Sequence, residues 1–400
     1  MLCKIAIADL AVGMYVVDSG LPWLEHPFLY NQEGLIGSQR ELAGIQKAGY
    51  LEVFVDTEKG HAPGTLCAEE ETDQTDHTLP QRTGALTALE EELEVAQVVY
   101  HDCLLIARDI LRDVQSGGEI DVRSCSFMVD AIIGSAVRNP DALLTLCKLR
   151  HHDAYTFTHG VNVSVMAAAF GVYLGLPPDD LKELGLAGLF HDVGKARIPD
   201  AILNKPTSLT HAEFAWIMRH PALGCDLLRG LKLPQGVMRG VGEHHERFDG
   251  SGYPHGLAGD AIHPWGRILA LADVYDAMTS RRCYKGPMLP TRALAVIHGM
   301  RGNNFPAQLA ERFIKFMGPY PVGSFVQLSN GEYGFVRTSN PHRPLFPEIL
   351  VAFDPEMQPL TPCRLLDLRG DDSLGTTVTK SLDPLACGID PVPFFVHAHA

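Results

Sequence analysis

The chain has 400 residues, 46% of them hydrophobic and 20% charged, which supports a large buried core and argues against general disorder. The length exceeds what one simple core serves, so two or three domains are expected. A formal net charge of −15 is opposite to that of a nucleic-acid-polymer binder, while a few local cations can still hold a small anionic ligand.

The first residues lack the long apolar run of a signal peptide. Met14–Asp18 and Leu51–Asp56 have strand-like content, and Gln39–Ala48 reads as a short helix ending at Gly49. Residues 1–57 therefore read as a small α+β domain. Residues 58–84 carry Gly, Pro, Thr and the acidic run Glu69-Glu70-Glu71, and read as a mobile linker.

From Ala85 the pattern turns helical. Leu86, Leu89, Leu93, Ala96, Val99, Cys103, Ile106 and Ile110 recur at three- and four-residue spacing, giving one long amphipathic helix closed by Gly117-Gly118. Its apolar stripe also suits a second subunit, so a homodimer is one expected use of it. Further helices are expected near 122–136, 140–149, 156–174, 179–190, 211–219, 222–229, 236–246, 265–280, 291–300 and 306–316. Thr210 and Glu213 form a capping-box signature. No stretch between 85 and 317 reads as a strand, so the middle of the protein is expected to be all-α.

After Gly318–Pro321, Ser324–Ser329 and Tyr333–Arg337 read as a hairpin with a type I′ turn at Asn330-Gly331. Ile349–Phe353 reads as another strand. A small β module at the C-terminus is expected, and no chemistry is assigned to it.

Nine cysteines, an odd number without any CxxC pair, read as free thiols in a reducing cytosol. No run of about 18 apolar residues suggests a membrane span. The expectation is a cytoplasmic protein without membrane insertion.

The chemical signal lies in potential metal ligands placed at helix ends: His159, His191-Asp192, His220, His244-His245 and Asp273. Imidazole with carboxylate suits Fe, Mn, Ni, Co or Zn. Asp273 lies in the apolar run Ile268–Tyr275, where a lone carboxylate is costly unless paired or metal-bound. An isolated helical histidine is most often a capping or surface group, and His101, His152, His211, His263 and His298 are assigned there. The run His244–Pro254 then combines two candidate ligands with a loop whose Gly250 and Gly252 allow unusual dihedrals. Pro254 stiffens its exit.

These segments together resemble the HD-GYP domain, the branch of the HD metal-dependent phosphohydrolases that cleaves cyclic di-GMP. The resemblance rests on Tyr155–His159, His191–Lys195, Ile202–Pro206, His220–Gly224, the run His244–Pro254, Arg267–Asp273 and Tyr275–Lys285. It covers about 40% of the chain, taken as a catalytic domain over 151–318, with connecting helices at 85–150 and the β module at 319–400. The segments around Met14–Asp18, Trp23–Glu25 and Val53–Asp56 resemble the N-terminal domain often fused ahead of HD-GYP domains, a candidate site for a protein partner. The implied fold is multidomain: a central all-α HD-type domain, a small α+β N-terminal domain and a small β C-terminal module.

Carried over by position, the resemblance makes His159, His191, Asp192 and Asp273 the basic HD metal site. His220, His244 and His245 add ligands for a second ion, with Asp192 as the bridge. Asp192 and Lys195 are the catalytic pair, and Lys195 lies near the scissile phosphate or protonates the leaving 3′ oxygen. Gly252, Tyr253, Arg282 and Lys285 match ligand-contacting positions. Some family members hold a third metal through a Glu where this chain has Tyr155, so two ions are expected, iron first. Two such ions activate a water between them to attack phosphorus. Asp276, Glu246, Asp249 and Arg267 are expected to orient ligands or to serve structure. The expected reaction is hydrolysis of cyclic di-GMP to pGpG, with slower conversion to GMP. Two alternatives are a binding or signalling module with little turnover, and an HD phosphohydrolase for another nucleotide such as cyclic GMP-AMP.

Overall fold

The computed structural model describes residues 2–17, 29–30, 34–47, 52–57, 59–60, 86–149, 155–205, 207, 210–280, 288–340, 343, 345–370 and 375–396. They form two compact units. One is drawn from Met1–Leu79, Gly318–Pro321 and Val326–Ser381, the other from Pro80–Met317, Val322–Phe325 and Leu382–Ala400.

The first unit holds two sheets. In one, β1 (Leu2–Ala6) runs antiparallel to β5 (Glu52–Asp56), with Leu2 opposite Asp56. The short strands β2 (Tyr15–Val16), β3 (Leu29–Tyr30) and β4 (Gly34–Leu35) complete it. Helix α1 (Gln39–Lys47) precedes β5. Ile7, Leu10, Met14, Val16, Ile36, Leu42, Ile45, Val53 and Val55 form the core. Both strands and the helix expected here form, each within a few residues of its expected bounds. The expected linker falls mostly outside the described residues.

The other sheet is β6 (Phe325–Leu328), β7 (Tyr333–Thr338), β8 (Glu348–Phe353), β9 (Pro359–Asp367) and β10 (Val378–Leu382), in the order β10-β6-β7-β8-β9. The expected hairpin is β6–β7, but its turn differs. Gly331 N–H donates to Leu328 O at 3.0 Å, which centres the turn on Ser329-Asn330. Gly331 then follows with φ 92°, while Asn330 is not among the residues with positive φ. A type I′ turn needs positive φ at both central residues, so a type I turn followed by a left-handed glycine replaces it.

The helical unit carries twelve α-helices among the described residues between 89 and 317. They are α2 (Leu89–Ser116), α3 (Val122–Arg138), α4 (Pro140–Leu149), α5 (Tyr155–Leu174), α6 (Pro178–Phe190), α7 (Asp200–Leu203), α8 (His211–Ile217), α9 (His220–Leu228), α10 (Gln235–Glu243), α11 (Pro264–Thr279), α12 (Pro290–Gly299) and α13 (Ala307–Met317). Among the described residues no strand interrupts them. Helix α2 ends at Gly117, whose φ of 77° suits glycine and caps the last turn. Asp121 caps α3 by accepting from Arg123 N and Ser124 N, and Thr210 with Glu213 forms the expected capping box of α8.

Helix α5 is buried on every side from Thr158 to Gly171. It is apolar all round because α2, α3, α6 and α11 pack about it. The stripe of α2 that also suited a dimer is used inside this unit: Leu89, Leu93, Ala96, Cys103 and Ile110 belong to its core. Leu86 precedes the helix and is exposed. No helix among the described residues is long and apolar enough to cross a membrane.

Candidate metal centre

Five segments of the helical unit deliver ligand atoms to one place. His159 stands one turn into α5, and His191 caps the end of α6. Asp192 begins the 3-10 turn that carries Lys195. His220 opens α9, His244 caps α10 with His245 next to it, and Asp273 lies inside α11. His159 and Asp273 thus lie inside their helices and not at the helix ends expected from the sequence. They reach the site because α5 and α11 are themselves buried against each other.

A repeated local device aims three of the imidazoles. His191 Nδ1 lies 2.7 Å from Gly188 O, His220 Nδ1 2.8 Å from Ile217 O, and His244 Nδ1 2.8 Å from Val241 O. A carbonyl only accepts, so each Nδ1 carries the proton and each Nε2 presents a lone pair inward. His220 Nε2 and His244 Nε2 then face one another at 3.1 Å. Two lone pairs that close repel unless a cation lies between them.

Asp192 is the hub. Its Oδ1 is 3.3 Å from His220 Nε2, and its Oδ2 is 3.4 Å from His191 Nε2 and 3.6 Å from His159 Nε2. His159 Nε2 reaches Asp273 Oδ1 at 3.0 Å, and His245 Nδ1 stands 3.8 Å from Asp273 Oδ2. Two groups result, each with ligand atoms within 4.8 Å of one another: Asp192, His220, His244 and His245, and next to them His159, His191 and Asp273. His191 Nε2 and Asp192 Oδ1 are buried without any hydrogen bond. Because His220 spends its proton on Ile217 O, it has none for Asp192 Oδ1. Buried polar atoms left unpaired are costly, and a divalent cation satisfies both. The donor set of imidazole nitrogens and carboxylate oxygens fits such an ion.

The electrostatics differ across the site. Burial drives His220 down to about 3 and His245 down to about 4, and holds His244 well below the ordinary histidine value. Burial also opposes charge on His159, but hydrogen bonds to Asp273 and Asp276 prevail and raise it to about 10. Burial opposes charge on Asp192, yet Lys195 and the nearby imidazoles hold its carboxyl well below the usual range. Lys195 Nζ donates to Asp192 Oδ2 at 2.5 Å from a partly exposed position.

The Gly250–Pro254 loop closes one side. Glu246 accepts from His255 N at 2.7 Å and Leu257 N at 3.0 Å, tying the segment that follows the loop back to the residue after His245. Gly252 packs so tightly that a Cβ there would lie 2.3 Å from Arg247 N. Gly252 thus serves backbone approach, and Tyr253 is pressed onto His245 with ring centroids 4.7 Å apart. Gly194 plays a matching part, since a Cβ would lie 2.0 Å from His220 O. It lets the Asp192 turn touch α9.

Of the supporting residues foreseen, Asp276 bonds His159 Nδ1 at 2.6 Å, while Asp249 accepts from Ser251 N and Arg267 donates to Asp260 and Ile262 O. His263 caps α11 by accepting from Trp265 N, as its assignment to capping anticipates. Tyr155 opens α5, and its side chain is not among those described. Arg282 and Lys285 lie outside the described residues. Asn162 and Tyr100, which lie behind Asp276, carried no sequence signal.

A family model described as HD domain matches residues 144–309, and a domain of unknown function, DUF3391, matches residues 2–125. Cyclic di-GMP phosphodiesterase PA4108 of Pseudomonas aeruginosa is 36% identical over 370 residues, spanning 92% of this chain and 89% of that protein. The chain belongs to the HD-GYP phosphodiesterase family. This HD-GYP protein is therefore a phosphodiesterase of a superfamily that binds divalent metals, and it carries a histidine–aspartate cluster able to hold them. The response regulator RpfG of Xanthomonas campestris, named a cyclic di-GMP phosphodiesterase, is 36% identical over 170 residues, or 42% of this chain and 45% of that one. A 3′3′-cGAMP-specific phosphodiesterase 1 of Vibrio cholerae is 42% identical over 134 residues, covering 34% and 31%.

Proposed function

We propose that this protein hydrolyses cyclic di-GMP to pGpG, and more slowly onward to GMP, at a centre of two divalent ions held by His159, His191, Asp192, His220, His244, His245 and Asp273. The observation that carries the reading is the pair of ligand groups meeting at Asp192, with His191 Nε2 and Asp192 Oδ1 left unpaired between them. When bound, the ions supply Lewis acidity and lower the pKa of water. Asp192 offers one oxygen to each group and so fixes their separation. Lys195, beside that carboxylate and partly open to solvent, presents a positive charge where phosphate charge builds. Tyr253, held flat on His245, offers a ring face to the substrate at the rim. Arg282 and Lys285 contact phosphate oxygens, as the resemblance implies. Iron is the preferred metal, with Mn, Ni, Co and Zn as alternatives. The free thiols of Cys103, Cys125, Cys147, Cys225, Cys363 and Cys387 support a reducing cytoplasm as the working compartment.

The Vibrio cholerae relative favours cyclic GMP-AMP as a second substrate reading. The test is a product assay on the full chain, purified anaerobically, with both cyclic dinucleotides. Cyclic di-GMP should be cleaved faster, and His191→Ala and Asp192→Ala should abolish turnover. Faster cleavage of the mixed dinucleotide would move the assignment to it. Tight binding with no cleavage of either would make the protein a binding module.

A further inference from the structure

A line of buried polar side chains runs from α2 into the metal centre. Tyr100 OH donates to Asn162 Oδ1 at 2.7 Å, and Asn162 Nδ2 donates to Asp276 Oδ1 at 2.9 Å. Asp276 Oδ2 lies 2.6 Å from His159 Nδ1. The four residues belong to α2, α5 and α11, and none exceeds 3% exposure.

The direction of every bond follows from chemistry. An ionised carboxylate only accepts, so the Asn162 amide nitrogen faces Asp276 and the His159 Nδ1 proton points at it too. The Asn162 carbonyl then faces the other way and needs a donor, which Tyr100 supplies. With Nδ1 committed, the Nε2 edge of His159 is turned toward Asp273 and Asp192. Ser280 Oγ adds a third donor to Asp276, at 3.0 Å.

A buried network can exist merely to satisfy itself. Two features point further. The line ends on a candidate ligand rather than on backbone, and α2 borders the site a second time. Ala107, Ile110 and Leu111 line a cavity whose wall includes Asp192. The DUF3391 match runs through residue 125 and so includes α2, which contributes nothing to the ligand set itself.

We propose that Tyr100, acting through Asn162 and Asp276, is a positioning residue for the metal centre, so that the seating of α2 sets how tightly the His159 ion is held. The inference rests on the metal-centre reading above. Loss of Tyr100 OH leaves a buried carbonyl unpaired and removes one of the bonds that orient the Asn162 amide, leaving it to Asp276 and to Cys147 O at 3.5 Å, which loosens Asp276 and, through it, His159.

The test is a Co2+ titration of the full chain against a chromophoric chelator, with thermal melts of each variant and the visible spectrum of bound Co2+. Removing one hydrogen bond in Tyr100→Phe should weaken the affected ion about 5-fold and alter its spectrum. Asp276→Asn, which strikes the ligand's direct partner, should weaken it about 10- to 100-fold. The double variant should bind no worse than Asp276→Asn alone, because both act on one line. Val129→Ala, a cavity in α3 away from the line, should lower Tm with Co2+ affinity and spectrum unchanged. Tyr100→Phe that lowers Tm but keeps wild-type affinity and spectrum would overturn the proposal, as would additive losses in the double variant. Wild-type protein that takes up no Co2+ would instead overturn the metal-centre reading, and this inference with it.

Discussion

The two halves of the candidate site solve the same problem by opposite means. Around His220, His244 and His245, burial keeps the imidazoles neutral, and Nε2 of His220 and Nε2 of His244 face one another beside Asp192 Oδ1. Around His159, two carboxylates stand close enough to hold a proton on the ring and so balance the site with an internal cation. The first half is prepared for an ion with nothing to displace. The second would have to release a proton to take up an ion. Asp192, touching both, joins two differently poised sites into one.

Breaking that joint should have the largest effect. Asp192→Ala removes an oxygen from each half, and turnover of the cyclic dinucleotide should fall by about 10^3-fold or more, read as initial rate at saturating metal. His220→Ala and His159→Ala each strike one half, so metal analysis should find about one ion per chain in either, against about two in the parent. Equal metal loss in both halves from either single variant would mean the halves are not separable.

The pH dependence sharpens the same contrast in metal-free protein. His220 and His245 have folded values near 3 and 4, below the 6.5 of an unfolded histidine. The unfolded chain therefore binds more protons in that window, and their contribution to stability, present above about 6.5, is lost as pH falls toward 4 and 3. His159 has the reverse sign. Its folded value near 10 makes its contribution full below 6.5 and lost as pH rises through 10. Melts in chelator from pH 4 to pH 10 should show both limbs. His245→Ala should flatten the acid limb, and His159→Ala the alkaline one.

Gly252→Ala should have the smallest effect. The added methyl collides with the Arg247 and Glu246 backbone, so the loop must shift and Tyr253 must leave His245. The expected cost is about 1–3 kcal/mol of stability. In kinetics KM should rise more than kcat falls, and wild-type KM in this variant would contradict the role given to the Tyr253 stack.

Much of this was legible in the sequence because its carriers are local. The helices of the central unit follow from three- and four-residue spacing, and the capping box from Thr210 and Glu213 alone. The seven candidate ligands stand in short motifs, and the structure brings all seven together. What escaped notice is what long-range contact creates. Tyr100 and Asn162 are 62 residues apart, and Asn162 and Asp276 are 114 apart, so no spacing announces their bonds. The β6–β7 turn differs from the expected type for a local reason. Asn330-Gly331 fits two turn types, and the register of the strands decides between them. The stripe of α2 packs against α3, α4 and α5, which no spacing within α2 announces, since an apolar stripe does not say which partner covers it.

In the proposed centre two ions share Asp192. Anomalous diffraction at the metal absorption edge, from crystals of anaerobically purified protein, tests it most directly. Two peaks about 3.5–4 Å apart are expected, one on each side of the Asp192 carboxylate. One peak would contradict it, as would peaks that Asp192 does not join.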